Sequence, residues 1–150
     1  MPVGKRDFNS RMHEKLNSFI DRIQARNYKF VCSDFRNFKP ENFLENDFVY
    51  ADPPYLITCA AYNENGGWNE SDEKDLLNFL DELNAKKIRF ALSNVLIGKG
   101  TKNQILIDWL ENNADKYKAV HLKYSYSNSN YHKTDKISES DEVLILNYKI

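Results

Sequence analysis

Asp52-Pro53-Pro54-Tyr55 sets a carboxylate, a constrained backbone carbonyl and an aromatic ring side by side. The tetrapeptide follows directly on the apolar run 47–51, which reads as a strand. In open α/β sheets, ligands bind just past the carboxyl ends of strands. The chemistry this set suits is the activation of an amine conjugated into an aromatic ring. Such an amine is a poor nucleophile, because the ring withdraws its lone pair. If Asp52 accepts one N–H and the carbonyl of Pro53 accepts the other, the nitrogen is drawn toward tetrahedral geometry. Its lone pair is then free for in-line attack on carbon. Pro53 and Pro54 hold both acceptors rigid, which is preorganisation. Tyr55 offers a face for stacking a planar ring. At average residue usage, about one chain in a thousand of this length carries the tetrapeptide by chance.

The elements that must position these groups follow from periodicity. Met12, Leu16, Phe19, Ile20 and Ile23 recur at helical spacing, predicting a helix over 9–26 with Asn9 or Ser10 as cap. Residues 28–33 predict a strand ending at Asp34-Phe35, and 39–42 a turn or a short helical start. The run 47–51 is apolar almost throughout, as in a strand covered on both faces. A loop over 56–69 carries Gly66-Gly67. Ser71 is a candidate cap for a helix with Asp72 and Glu73 in its first turn and a stripe of Leu76, Leu80 and Leu83. A strand over 88–92 ends at Ser93-Asn94. A helix over 103–114 buries Ile105, Leu106, Trp109 and Leu110. Strands over 119–126 and 142–148, joined by a polar loop without a helix, predict an antiparallel pair. The order is α-β-β-α-β-α-β-β.

Composition narrows the class. The chain has 150 residues, 41 % apolar and 29 % charged, with nine Tyr, nine Phe and two Trp. That is enough for one domain with a core. The formal charge of −1 lacks the basic excess of a complete DNA-binding domain. Local clusters at Lys5-Arg6, Lys86-Lys87, Lys99/Lys102 and Lys133/Lys136 read as solvated surface. Cys32 and Cys59 have no metal-ligand spacing, and the chemistry above needs no covalent nucleophile. His13, His121 and His132 are scattered, so no metal is expected. No apolar signal core opens the sequence and no stretch nears the ~20 apolar residues of a membrane span. A cytoplasmic, thiol-reduced protein is the expectation.

With these residues in place, the chain resembles the Dam-like, D12-class DNA adenine-N6 methyltransferases over nearly its whole length. Asp52-Pro53-Pro54-Tyr55 matches the family's catalytic motif. The resemblance implies methyl transfer from S-adenosylmethionine to an adenine flipped out of double-stranded DNA, since a stacked base cannot reach such a pocket. By the same resemblance, Asp34 accepts from the cofactor's adenine amine, Phe35 borders its ring, and Asp52 faces both cofactor and base. Tyr62 and Trp68 resemble the aromatics of the loop after the motif; Tyr62 fits a pocket wall and plain packing equally. Leu92-Ser93-Asn94 resembles the end of the next strand. Asn128 and Asn130, in the segment resembling the terminal hairpin, would lie near the target base. Residues 1–8 resemble the end of the target-recognition insert, where Lys5 is a phosphate contact.

The resemblance also has a gap. Family members open with a Phe-x-Gly-x-Gly segment for the methionine end of the cofactor, then an acidic residue for its ribose; neither occurs here. The expected fold is α/β, a partial Rossmann-like methyltransferase fold in a single domain, 1–150. It has a mostly parallel sheet, helices on both faces and a C-terminal antiparallel hairpin. The family's strand order is 3-2-1-4-5-7-6, and strands 1 and 2 are absent. That leaves 47–51 as an open central edge. Three resolutions stand: 28–33 pairs with 47–51, a second polypeptide supplies the missing strands, or the chain is a non-functional remnant. The competing function is a non-catalytic methyltransferase-like module that binds nucleic acid or protein. A related enzyme with another target is disfavoured by Asp52, where glutamine and cytosine enzymes tend to carry Asn and Ser.

Overall fold

The computed structural model describes residues 9–57, 67–98, 100–122 and 140–149. The chain forms two compact units, 1–33 and 34–150.

In the first unit, helix α1 spans Ser10–Gln24. Asn9 caps it, its side chain accepting from the Met12 N–H at 3.0 Å. The apolar stripe of Met12, Leu16, Phe19 and Ile20 is exposed, and no residue of α1 is buried. The strand expected over 28–33 does not form. The segment has no regular structure, and Phe30 is 78 % exposed. A strand is stable only when its N–H and C=O groups are paired. Residues 28–33 are not among the described strands of the sheet.

In the second unit, Phe35–Asn37 and Pro40–Asn42 are single 3-10 turns, the second where a turn was expected. Strand β1 is Phe48–Ala51, helix α2 Glu70–Ala85, strand β2 Arg89–Gly98 and the short β3 Thr101–Lys102. Helix α3 is Gln104–Asn112, and strands β4 and β5 are Lys118–Leu122 and Asp141–Leu146. The cap of α2 is Asn69 rather than Ser71. Its side chain accepts from the N–H groups of Ser71 and Asp72, and Asp72 returns a bond to the Asn69 N–H at 2.9 Å, a complete capping box.

The strand order is β1-β2-β5-β4, with β3 paired to β2. This corrects the expectation of a mostly parallel sheet. Only β1–β2 is parallel; β2–β5, β4–β5 and β2–β3 are antiparallel. Parallel pairs need crossover connections, and the described residues contain one such connection between neighbouring strands, through α2. The terminal hairpin therefore dominates the sheet. Strand β1 has β2 as its sole described neighbour, so its other edge is open among the described residues. Tyr50 is 59 % and Phe48 49 % exposed.

Strand β2 runs well past its expected end at Leu92 because its polar residues are satisfied. Ser93 and Asn94 both find acceptors, as described below. Phe90, Leu92 and Leu96 pack with Val143 and Ile145 of β5, beneath Leu76, Leu80 and Leu83 of α2 and Leu106 of α3. The two helices contact each other and β2. Trp109, expected in the core, is half-buried at its margin, as is Phe79. Trp109 stacks on Tyr117 at 4.5 Å, and both rings donate hydrogen bonds to Asp81. Burial, then this bond to Asp81, raises the Tyr117 hydroxyl's pKa above its ordinary value.

Candidate active site

The parallel pairing of β1 with β2 sets Ala51 opposite Leu92. The residues that follow, Asp52 just past β1 and Ser93 within β2, therefore lie side by side. Ser93 Oγ donates to Asp52 Oδ1 at 2.5 Å. The Tyr55 hydroxyl reaches the same oxygen at 3.4 Å, a long contact. Burial raises the Tyr55 pKa above the usual tyrosine value, and the Asp52 and Glu142 charges add to this, against a lowering contact with Ser93. So Tyr55 serves Asp52 as a neutral donor.

An ionised carboxylate has about four acceptor positions. Oδ1 of Asp52 takes the two hydroxyls, while Oδ2 accepts nothing among the described residues, and Asp52 is exposed. No described backbone N–H bonds the Pro53 carbonyl. The arrangement thus fixes one carboxylate oxygen and leaves the other, with a nearby carbonyl, to accept from a ligand. Pro53, Pro54 and Tyr55 are half-buried.

Asp34 caps the turn Phe35–Asn37, its Oδ1 accepting from the Arg36 N–H at 2.9 Å. Arg36 also bonds the Asp34 carboxylate through its guanidinium and spans to Asp72 at 2.5 Å and Asp75 at 2.8 Å on α2. These bonds push the Arg36 pKa further above its already high ordinary value. Its guanidinium lies 4.6 Å from the Phe35 ring centre. Phe35 in turn meets Trp68 at 6.0 Å and Phe79 at 6.2 Å between ring centres. Asp34 and Phe35 are therefore pinned onto α2.

Trp68 is half-buried, and its Nε1–H donates to Glu73 Oε2 at 2.7 Å. The first-turn acid Glu73 is fully buried. Its Oε1 accepts from Asn94 at 3.1 Å and Asn103 at 2.9 Å. Reasoning from the sequence missed both Ser93 as the partner of Asp52 and this network. The signal available was Ser93-Asn94 itself, two polar residues inside an apolar strand. Lys5, Tyr62, Asn128 and Asn130 lie outside the described residues. Among the described residues, no group of three or more His, Cys, Asp or Glu is placed to hold a metal, and no helix is long and apolar enough to cross a membrane.

An α/β unit with an Asp-Pro-Pro-Tyr corner at the end of a parallel strand defines a methyltransferase-like site. The chain belongs to the D12 class N6 adenine-specific DNA methyltransferase family, which it matches over residues 2–140. It is 45 % identical to the type II methyltransferase M.FokI of Planomicrobium okeanokoites, over 98 % of this chain and 23 % of that protein. It is 40 % identical to the modification methylase StsI of Streptococcus sanguinis, over 99 % of this chain and 23 % of that protein. The modification methylase LlaI of Lactococcus lactis subsp. lactis is 35 % identical over 73 % of this chain and 18 % of its own length. The chain thus spans less than a quarter of the length of these curated relatives.

Proposed function

We propose that this chain is the catalytic-motif part of an S-adenosylmethionine-dependent DNA adenine-N6 methyltransferase with a partial Rossmann-like fold. The observation that carries the reading is the Asp52 carboxylate, one oxygen tied by Ser93 and Tyr55 and the other, like the adjacent Pro53 carbonyl, accepting nothing among the described residues. In this reading Asp52 Oδ2 and the Pro53 carbonyl accept the two N6–H bonds of a flipped adenine. Tyr55 stacks the base, and Pro54 keeps the corner rigid. When bound, S-adenosylmethionine supplies an electrophilic methyl group on a sulfonium. Asp52 would accept the one proton the amine gives up on methylation and pass it to solvent.

The residues present fit the adenine end of that cofactor. Asp34 supplies a half-exposed carboxylate beside the ring of Phe35. The DNA contacts proposed are Lys5, Tyr62, Trp68, Asn128 and Asn130. The partner proposed to complete the sheet is a second polypeptide carrying the Phe-x-Gly-x-Gly segment, favoured by the edge of β1 that is left unpaired among the described residues.

The test is transfer of labelled methyl from S-adenosylmethionine to adenine-containing duplex DNA, with and without such a polypeptide. Incorporation that disappears in Asp52→Ala supports the reading. Absence of incorporation in both arms overturns it and leaves the non-catalytic binding module.

A further inference from the structure

Glu73 is the one acidic or basic side chain buried among the described residues. Burying a carboxylate is costly unless its lone pairs are filled, and here three neutral donors fill them. Trp68 takes Oε2; Asn94 and Asn103 share Oε1. Neither asparagine can turn its amide round without loss. Asn94 Oδ1 accepts from the Val95 N–H at 2.8 Å, and Asn103 Oδ1 caps α3 through the Leu106 N–H at 3.2 Å. Both NH2 groups are therefore committed to Glu73. The carboxylate joins the first turn of α2, the centre of β2 and the start of α3 at one point, and from it reaches out to one indole.

That indole is the tie to the site. Trp68 lies against Phe35, whose neighbour Asp34 is the proposed acceptor for the cofactor's adenine. We infer that Glu73 is a positioning residue: it locks the Trp68 indole against Phe35 and so preforms the wall on which the adenine end of the cofactor rests. The inference rests on the proposed function and adds to it a residue remote from the motif. An apolar side chain at position 73 would fill the space but take from Trp68, Asn94 and Asn103 the acceptor they share.

The experiment is Glu73→Gln in the 15N-tryptophan-labelled chain. The variant keeps the volume but offers one acceptor. Its Oε1 serves the two fixed asparagines, and its Nε2 then faces the Trp68 N–H, donor against donor. The expected result is a shift and faster solvent exchange of the Trp68 indole resonance alone. Trp109, bonded to Asp81, is the internal control. Close-proton contacts between Trp68 and Phe35 weaken, and S-adenosylhomocysteine affinity falls about tenfold. An unmoved Trp68 resonance in folded Glu73→Gln overturns the inference, and so does a released indole with unchanged affinity. If Glu73→Gln does not fold, Trp68→Phe keeps a ring and removes the N–H. A similar loss of affinity then supports the lock, and wild-type affinity overturns it. A wild-type chain that binds no S-adenosylhomocysteine, alone or with the complementing polypeptide, overturns the cofactor reading and the inference with it. The Trp68 resonance in Glu73→Gln still reports separately on the Glu73–Trp68 bond.

Discussion

Ser93 Oγ donates to Asp52 Oδ1 at 2.5 Å across the parallel pair β1–β2. The two residues are 41 positions apart in sequence, so the contact exists only because helix α2 returns the chain to lie beside β1. The bond decides which carboxylate oxygen is left for a ligand. It also ties the motif to the best-buried strand of the sheet.

Ser93→Ala is therefore expected to fold as the wild type does, since the hydroxyl sits at the edge of the core. It frees the Asp52 carboxylate to rotate. In whichever assembly methyl transfer is measured, kcat falls about 10–100-fold with little change in KM for DNA. Ser93→Thr, which keeps the hydroxyl, recovers part of the rate. Steady-state kinetics on the three proteins decide it; equal kcat values for wild type and Ser93→Ala would show that Asp52 needs no such tether.

Helix α2 ends in a Schellman motif formed around a lysine. The Ile88 N–H reaches the Leu83 carbonyl at 3.0 Å and the Lys87 N–H reaches the Asn84 carbonyl at 2.9 Å. Lys87 has φ of 62°, where a Cβ is strained. Lys87→Gly relieves that strain and is expected to raise stability by about 0.5–1 kcal/mol, after the greater unfolded-chain entropy of glycine is counted. Urea unfolding of the two proteins measures it, and a lower midpoint in the variant contradicts the account.

The Arg36 cluster gives a pH dependence of defined sign. The Arg36 guanidinium, and after it the Asn69 N–H, hold the Asp72 pKa below its ordinary 3.8. A carboxylate with a folded pKa below its unfolded pKa contributes stability that is complete above the unfolded value. That contribution is lost as pH falls through the folded one. Stability contributed by Asp72 should thus decline below about pH 4, and added salt should weaken it, because the cluster is at the surface. Arg36→Gln flattens this acid limb. Unfolding midpoints of both proteins from pH 5 to pH 2.5 give the comparison; parallel curves would remove Arg36 as the cause.

How much of this was legible beforehand depends on where each element draws its stability. The Asp-Pro-Pro-Tyr corner after an apolar strand, α2 and α3 were readable, because their apolar spacing and turn residues are local. The capping residue of α2 was off by two positions, since Asn69 and Ser71 are equally good caps and the Asp72 carboxylate decides between them. Strand 28–33 failed because strands depend on partners, and Phe30 and Val31 look the same whether or not a neighbour is there. The hairpin 119–126 with 142–148 was right in kind, and its pairing of β4 with β5 outweighs the single parallel pair. The burial of Glu73 was not legible for a different reason. A buried carboxylate is indistinguishable in sequence from a solvated first-turn acid until Trp68, Asn94 and Asn103 are brought to it from three separate elements.

The open edge of β1 makes the last prediction. An unpaired strand edge offers free N–H and C=O groups to any other chain. Here Phe48 and Tyr50 are exposed on the strand as well. Nothing in β1 supplies the usual protection of a lysine, a proline or a bulge; its four residues are Phe48, Val49, Tyr50 and Ala51. The isolated chain is therefore expected to self-associate as concentration rises, with light scattering growing over the micromolar range. Tyr50→Lys places a charge on the exposed edge without touching the core and should suppress that association. A polypeptide that completes the sheet should suppress it as well, by occupying the same edge. Equal scattering from wild type and Tyr50→Lys would locate the association elsewhere, with the bare apolar stripe of α1 the next surface to alter.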